Sequence, residues 1–155
     1  MEAQVRFHQI DSNAFCFRKV RFEDWEEIGR LDLLTITDTI EFSGETEADT
    51  VQDMKETFLG KYGEFMPSSS FVVEDHGIIV SATIFCLSAE NDMPFLAFAM
   101  THPEFQNRGL SRFLLKQSMN VLTELGYKQA SLCVMKENLP AISVYKKLGF
   151  KFIDD

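Results

Sequence analysis

Residues 101–112, THPEFQNRGLSR, decide how the fold of this chain is interpreted. The apolar run PFLAFAM at residues 94–100 precedes them, and the amphipathic run FLLKQSMNVLTELG at residues 113–126 follows. This order predicts a strand, a basic turn with Gly109, and a helix. Because a helix N-terminus has unpaired N–H donors and a partial positive charge, it binds phosphate groups. The stretch therefore predicts a phosphate-binding turn, although a single glycine turn is more often an ordinary helix start.

A second stretch, NLPAISVYKKLGF at residues 138–150, predicts a short helix with two polar groups on one face. Asn138 suits an N-cap position, and Pro140 fits within the first turn. Tyr145 follows seven residues after Asn138, about two turns or roughly 10 Å along the helix. This face offers an amide and a phenol to an elongated ligand. Taken singly, Asn138 is more typical of a residue that only caps a helix, and Tyr145 of a residue that only packs against its neighbours.

Together, the two stretches resemble the GNAT superfamily of N-acetyltransferases, from about residue 78 to the C-terminus. The superfamily signature Q/R-x-x-G-x-G/A appears as Gln106, Gly109 and Ser111, with serine in place of the usual glycine or alanine. The later pattern N-x-x-A-x-x-x-Y-x-x-x-G-F appears in full as Asn138, Ala141, Tyr145, Gly149 and Phe150. Two motifs in the correct order are far more specific than either one.

The resemblance implies acetyl-CoA as the donor and co-substrate, with no metal. Backbone groups of Ala99, Met100 and Thr101 are expected to pair with the pantetheine arm, and the Met100 N–H to stabilise the thioester oxygen. The remaining cofactor-binding positions are Gln106, Asn107, Arg108, Gly109, Leu110, Ser111, Arg112, Asn138 and Tyr145. Tyr145 is the expected catalytic acid, since a phenol can protonate the leaving thiolate as the C–S bond breaks. A primary amine is expected to attack the thioester directly.

The general base is left open by the sequence. Residues 95–100 contain no carboxylate, although many GNAT relatives place a glutamate on that strand. Glu41, Glu74, Asp75 and His102 are candidates, although each is more typical of a solvated surface residue, and a water chain that relays the proton to bulk solvent is an alternative. Cys133 stands where some protein N-terminal acetyltransferases carry a catalytic glutamate, which weakens assignment to that subgroup.

The acceptor is predicted from an acidic window at residues 31–54, which contains seven carboxylates and no lysine or arginine. Such a field attracts a cationic amine, for example a polyamine, an aminoglycoside-like amine or a basic peptide. Asp38, Glu41 and Glu74 are the predicted substrate-binding residues. The alternative is that this window forms solvated helix faces in an acidic protein. The net charge of −9 also argues against nucleic-acid binding.

The element order predicts one domain over residues 1–155, with an α/β fold of mixed, mostly antiparallel sheet and helices on both faces. The GNAT-like pattern normally closes with two strands, but only residues 150–155 follow the last helix. The exposed sheet edge is therefore expected to be left short, to be covered by a strand at residues 5–10, or to pair with another chain as a homodimer.

Composition limits the protein class. No apolar run is long enough to cross a membrane, and residues 1–13 lack the apolar core of a signal peptide. The three cysteines, Cys16, Cys86 and Cys133, form no CxxC pair, so we expect neither a zinc site nor a disulfide framework, and a cytoplasmic location. The missing base and short C-terminus also leave a non-catalytic reading, a sensor or partner-binding module that binds acyl-CoA without turnover.

Overall fold

The described residues form a seven-stranded sheet, and the longest strand, Ile78–Leu87, lies in its middle. The structure is a computed structural model that describes residues 1–11 and 14–153. The strands are β1 (Glu2–Gln4), β2 (Phe17–Lys19), β3 (Glu64–Phe65), β4 (Phe71–Asp75), β5 (Ile78–Leu87), β6 (Pro94–Thr101) and β7 (Gln129–Leu132). The helices are α1 (Trp25–Ile36), α2 (Glu47–Phe58), α3 (Leu110–Glu124) and α4 (Leu139–Lys147). Within the described ranges, no helix is both long and apolar enough to span a membrane.

The sheet order is β1-β7-β6-β5-β4-β2, and β3 pairs separately with β5. All neighbouring strands are antiparallel except β6 and β7, which are parallel and pair only at Phe95 with Ser131 and Leu96 with Leu132. Among the described residues, no strand pairs with the rest of β6, as far as Thr101, on the side of β7. The predicted mixed, mostly antiparallel sheet is confirmed, and its two parallel strands part in the middle of the molecule.

Helices cover both faces of the sheet because successive residues of β5 point in opposite directions. Ala82 and Ile84 pack with Ile28 of α1 and Met54 of α2. Phe85, on the other face, packs with Leu115 and neighbouring residues of α3. The residues of both faces are fully buried at this strand, so burial of apolar side chains on two sides holds α1, α2 and α3 in place.

The sheet edge next to β7 is covered by the N-terminal segment, but not by the residues predicted from the sequence. Strand β1 pairs with β7, and the backbone of Glu2 exchanges two hydrogen bonds of 2.9 Å with Lys151. Residues 5–10 are not a strand, because the Asn120 side chain of α3 binds both the N–H and the C=O of His8. Residues 150–153, whose sequence FKFI is typical of the start of a strand, contribute only the single bridge at Lys151. Residues 11–13, whose sequence DSN is typical of a turn, lie partly outside the described residues.

Gly29 sets the distance between α1 and α2. A Cβ added at this position would lie 2.6 Å from the Cα of Val51, which is too close for any side chain without movement of α2. We expect Gly29→Ala to destabilise the protein by about 1–3 kcal/mol, because overpacking outweighs the roughly 1 kcal/mol by which alanine favours a helix over glycine. Urea unfolding checks this, with the exposed Arg30→Ala as the control. A Gly29→Ala variant as stable as the wild type would contradict close packing here.

Candidate active site

A cavity of about 890 Å³ lies where β6 and β7 separate. Residues of β6 from Leu96 to Thr101 line its floor, and α1, α2 and the beginnings of α3 and α4 line its sides. The predicted cofactor-binding residues that line it are Ala99, Met100, Thr101, Gln106, Asn107, Gly109, Leu110, Ser111, Arg112, Asn138 and Tyr145. Residues separated by up to 46 positions in sequence thus meet around a single opening.

One end of the cavity is the turn before α3. Asn107 and Gly109 have φ angles of 64° and 79°, and a Cβ added at Gly109 would meet no atom within 4 Å. The first helical bond runs from Phe113 N–H to Gly109 C=O, so the N–H groups of residues 110–112 precede it. The Gln106 side chain donates to the Thr101 C=O at 3.2 Å and ties the turn to the end of β6. This end is open, carries free donors and suits an anionic group.

Arg108 is the predicted cofactor-binding residue of this turn that does not line the cavity. Its guanidinium donates to the Glu104 C=O at 3.2 Å and lies 4.9 Å from the ring centre of Phe105. Arg112 does line the cavity and is exposed. The positive side chain available at this end is therefore that of Arg112.

The backbone of β6 presents alternate N–H groups to the gap. The His102 N–H donates to the Val80 C=O at 2.7 Å, on the side of β5. Because alternate residues of an antiparallel pair exchange hydrogen bonds, the N–H of Met100, opposite Ala82, also faces β5. The N–H groups that face the gap are those of Ala99 and Thr101, rather than that of Met100.

Asn138 is the N-cap of α4 and Tyr145 lies within this helix, and both residues line the cavity. The Asn138 side chain caps α4 by accepting from the Ala141 N–H at 3.4 Å, and its amide donates to the Glu41 carboxylate at 2.9 Å. Tyr145 packs against Phe150, and its hydroxyl makes no hydrogen bond to any described residue. Burial, reinforced by the charge of Glu41, raises the pKa of Tyr145 to about 12, so the phenol keeps its proton at neutral pH.

The other end of the cavity is acidic, and we call it the acidic end. Its carboxylates are Asp32, Glu41, Glu45, Asp49, Asp53 and Glu56. Lys61 is the one cation there among the described residues, and its ammonium lies 2.6 Å from Asp53 and 3.6 Å from Glu56. No group of three or more His, Cys, Asp or Glu side chains in residues 1–11 and 14–153 could hold a metal ion. The acidic end therefore concentrates negative charge around the ammonium of Lys61.

Of the three predicted substrate-binding residues, Glu41 lines the cavity and the other two do not. Asp38 is exposed just beyond α1. Glu74 forms an ion pair with Arg18, which also binds Asp24, at the far side of β4. The structure therefore brings Glu41 to the opening and leaves Asp38 and Glu74 outside it.

Asp32 is the functional candidate that sequence reasoning missed. It lies one helical turn after Ile28 on the buried face of α1, and it is 9% exposed. Its carboxylate has no hydrogen-bond or ion-pair partner among the described residues, whereas neighbouring acids are bound to Asn138, Thr46 or Lys61. The signal was present in the sequence LDLL at residues 31–34, where a carboxylate interrupts an apolar helix face.

Burial raises the pKa of Asp32 to about 7, and the carboxylates of Asp53, Glu41 and Glu45 act in the same direction. A buried, unpaired carboxylate costs free energy in the folded state, and such groups are characteristic of functional sites. The acidic end therefore contains a carboxyl group that changes its protonation near neutral pH.

The chain resembles known acetyltransferases in sequence. The sequence model described as "Acetyltransferase (GNAT) family" matches residues 32–150, which is more than half of the chain. A curated relative, the [ribosomal protein bS18]-alanine N-acetyltransferase of Salmonella typhimurium, is 31% identical over 96 residues, covering 62% of this chain and 62% of the relative.

Solved structures of the same fold cover most of the chain. The ribosomal-protein-S18-alanine N-acetyltransferase from Escherichia coli superposes with a TM-score of 0.67 at 20% identity, covering 89% of this chain and 78% of that one. The aminoglycoside N-acetyltransferase AAC(6')-Iy in complex with CoA superposes with a TM-score of 0.66 at 16% identity, covering 90% and 89%. With the family sequence model matching over residues 32–150 and both motifs meeting at one cavity, this chain belongs to the GNAT acetyltransferase family.

Proposed function

We propose that the protein transfers the acetyl group of acetyl-CoA to a primary amine on a cationic acceptor. The main support for this proposal is that the turn before α3, which suits a phosphate group, and a row of carboxylates line the same cavity. This cavity lies at the gap between β6 and β7. A donor with a pyrophosphate and an acceptor with ammonium groups would bind at opposite ends. Their reactive groups would then meet at the end of β6.

The donor end fits coenzyme A in its shape and its polar groups. Residues 110–112 offer backbone N–H groups at the start of α3, and Arg112 adds a charge for the pyrophosphate. The N–H groups of Ala99 and Thr101 are free to pair with the amides of the pantetheine arm, as an added strand would. One of these two N–H groups would also donate to the thioester oxygen, which becomes negatively charged during attack.

The acceptor end favours a polyamine or another small polyamine-like cation. Asp49, Asp53 and Glu56 lie at intervals of four and three residues on α2, so they form a row about 10 Å long on one helix face. The ammonium of Lys61 already sits between two of these carboxylates, in the manner expected of a bound amine. The same carboxylates would hold the ammonium groups of an elongated acceptor while its terminal amine reaches β6.

Cys133 argues for a small amine over a protein N-terminus. It is exposed and lines the cavity, at the position where the family resemblance leads to a catalytic glutamate in some protein N-terminal acetyltransferases. The relatives named above act on a ribosomal protein and on aminoglycosides, according to their names. An acceptor screen should therefore include all three amine classes.

The test is calorimetric titration with CoA, followed by a free-thiol assay with acetyl-CoA and three acceptors: spermidine, kanamycin and a peptide that begins with alanine. We expect CoA to bind and spermidine to give the fastest thiol release. Absence of CoA binding would reject the donor assignment. Binding without thiol release for any amine would favour a non-catalytic acyl-CoA-binding protein. Turnover of the alanine peptide alone would reject the cationic acceptor.

Gly109→Ala should weaken coenzyme A binding selectively. The substitution places a methyl group at the open turn and forces alanine into a φ of 79°, which costs about 1 kcal/mol or more. We expect the KM for acetyl-CoA to rise about tenfold while the KM for spermidine stays unchanged. The matched control is Gly77→Ala, since Gly77 has a φ of 78° and also open space but lies in the β4–β5 turn. Equal effects of the two substitutions on acetyl-CoA would contradict the assignment.

A further inference from the structure

We propose that Asp32 accepts the proton that the acceptor's ammonium group must lose before it attacks the thioester. This inference rests on the proposed function and names the base that the motifs leave unassigned. Its first support is location. Asp32 lines the cavity from α1, and it is the buried, unpaired carboxylate at the acidic end.

The C-terminal part of α1 is held against the end of β6, where the reacting groups would meet. The Thr35 hydroxyl, one turn after Asp32, donates to the Leu31 C=O at 3.0 Å and lies 3.4 Å from the Thr101 C=O. Thr101 and Met100 line the same cavity. Asp32, one turn before Thr35 on the same helix, therefore lines the same cavity as the end of β6 and Tyr145.

The other carboxylates at the acidic end are already bound. Glu41 accepts from Asn138, Glu45 accepts from the Ser43 N–H at 2.8 Å, and Asp49 accepts from the Thr46 N–H at 2.9 Å. Asp53 and Glu56 bind Lys61. These groups are ordered and supply a negative field, while Asp32 keeps its lone pairs available for an incoming ammonium.

The proton count balances with the two groups in these roles. The ammonium of the acceptor gives a proton to the Asp32 carboxylate and becomes a neutral amine. Its lone pair forms the C–N bond with the acetyl carbon, the C–S bond breaks, and the electron pair stays on sulfur. Tyr145 supplies a proton to that sulfur and regains one from the nitrogen as the amide forms. The proton on Asp32 leaves to solvent.

The titratable environment of Asp32 places this step near neutral pH. Burial raises the pKa of Asp32 to about 7, which is the range in which a base is both ionised and able to hold a proton. The charged or titratable groups that act on it or lie in contact with its surroundings are Asp53, Glu41, Glu45, Tyr62 and Lys61. Strand β6 contributes no charged side chain.

The test compares wild type with Asp32→Asn, using spermidine as the acceptor and measuring kcat/KM from about pH 5 to about pH 9. The wild-type value should rise about tenfold per pH unit up to about pH 7 and then level off. Asp32→Asn should lower kcat/KM at neutral pH by about 100-fold or more and lose this rise. Glu47→Gln, an exposed residue of the same acidic window outside the cavity, should keep the wild-type profile.

The outcomes separate this proposal from the proposed function. An Asp32→Asn enzyme with activity within about threefold of wild type would overturn the role of Asp32 and leave the proposed function intact. A kcat/KM that keeps rising to about pH 9 in both proteins would also overturn the role of Asp32 and leave the proposed function intact. Such a profile would mean that the amine loses its proton in solution before it binds. No thiol release by wild type with any amine overturns both.

A readout independent of turnover uses carbon-13 NMR of labelled aspartate carboxyls in the wild-type protein. The signal absent from Asp32→Asn should titrate near pH 7, as the raised pKa requires. An Asp32 signal that titrates at the ordinary value for a carboxyl group would overturn the proposal, whatever the activity of the variant.

Discussion

Tyr145→Phe lowers kcat for acetyl transfer by about 100-fold or more, while the dissociation constant for CoA changes by less than about threefold. The phenol hydroxyl is the group removed, and it makes no hydrogen bond to a described residue, so its loss leaves the packing against Phe150 intact. Its raised pKa, about 12, means that the hydroxyl is protonated throughout the working range. The Tyr145 hydroxyl therefore stabilises the transition state, in which sulfur becomes negatively charged. Its removal has little effect on the free energy of CoA binding in the ground state.

The measurement pairs steady-state kinetics with calorimetric titration of CoA. Tyr127→Phe is the matched control, because Tyr127 packs against the same hydrophobic cluster but does not line the cavity. A further check uses an acetyl thioester of a more acidic thiol, which needs less help from a proton donor. Tyr145→Phe should then lose less activity. Equal kcat for wild type and Tyr145→Phe with acetyl-CoA would remove Tyr145 from the acid role.

Asp32→Asn stabilises the folded protein above about pH 7, although it removes the proposed base. In the folded protein, the pKa of Asp32 is about 7, against 3.8 for an ordinary aspartate. The folded state therefore binds this proton more tightly than the unfolded state, so the stability contributed by Asp32 falls as the pH rises between these values. Since one pKa unit corresponds to about 1.4 kcal/mol, the ionised carboxylate costs up to about 4 kcal/mol.

Urea unfolding of both proteins between about pH 4 and about pH 8 tests this pH dependence. The two curves should differ by less than about 1 kcal/mol near pH 4, where Asp32 is protonated in the folded state and about half ionised in the unfolded state, and should diverge as the pH rises to about 7. Asp38→Asn is the control, since Asp38 is exposed beyond the end of α1. A constant difference at all pH values would show that the amide changes packing and that the charge of Asp32 carries no stability cost.

A base that destabilises its own fold is consistent with a catalytic position. The Asp32 carboxylate is buried on the cavity wall, where a neutral apolar side chain would pack more favourably. Its neighbours Glu41, Glu45 and Asp53 increase the cost of ionisation. A bound ammonium would relieve this cost, so the acceptor should bind more tightly as Asp32 becomes ionised.

Several elements were predictable because their signals are local. The hairpin β4–β5 follows from two apolar runs joined by His76 and Gly77, and β5 coincides with the apolar run IIVSATIFCL at residues 78–87. Helices α1 to α4 follow from apolar spacing and from capping residues such as Thr46 and Asn138. In each case, the information lies within a few residues of the element it determines.

The elements that were mispredicted depend on contacts between distant segments. The alternating pattern of residues 5–10 is typical of a strand. The Asn120 side chain, however, binds the N–H and C=O of His8, which would otherwise pair with a neighbouring strand. The edge of β7 is covered by Glu2–Gln4, a segment too short to give a periodic signal. No local pattern in the sequence predicts which segment pairs with the edge of β7.

The family and the expected donor side of the cavity could be predicted from residues 101–150 alone, because both motifs consist of residues whose backbone geometry and spacing are local: Gln106 to Arg112 around one turn, and Asn138 to Tyr145 along one helix. Which carboxylates line the cavity depends instead on how the helices pack on the sheet. Of the acids in residues 31–54, the fold buries Asp32, binds Glu41 to Asn138, and leaves Asp38 exposed. The physical reason is that the pKa and the availability of a carboxylate depend on burial and on neighbours brought from α2 and α4, and these are set by packing across the sheet rather than by sequence spacing.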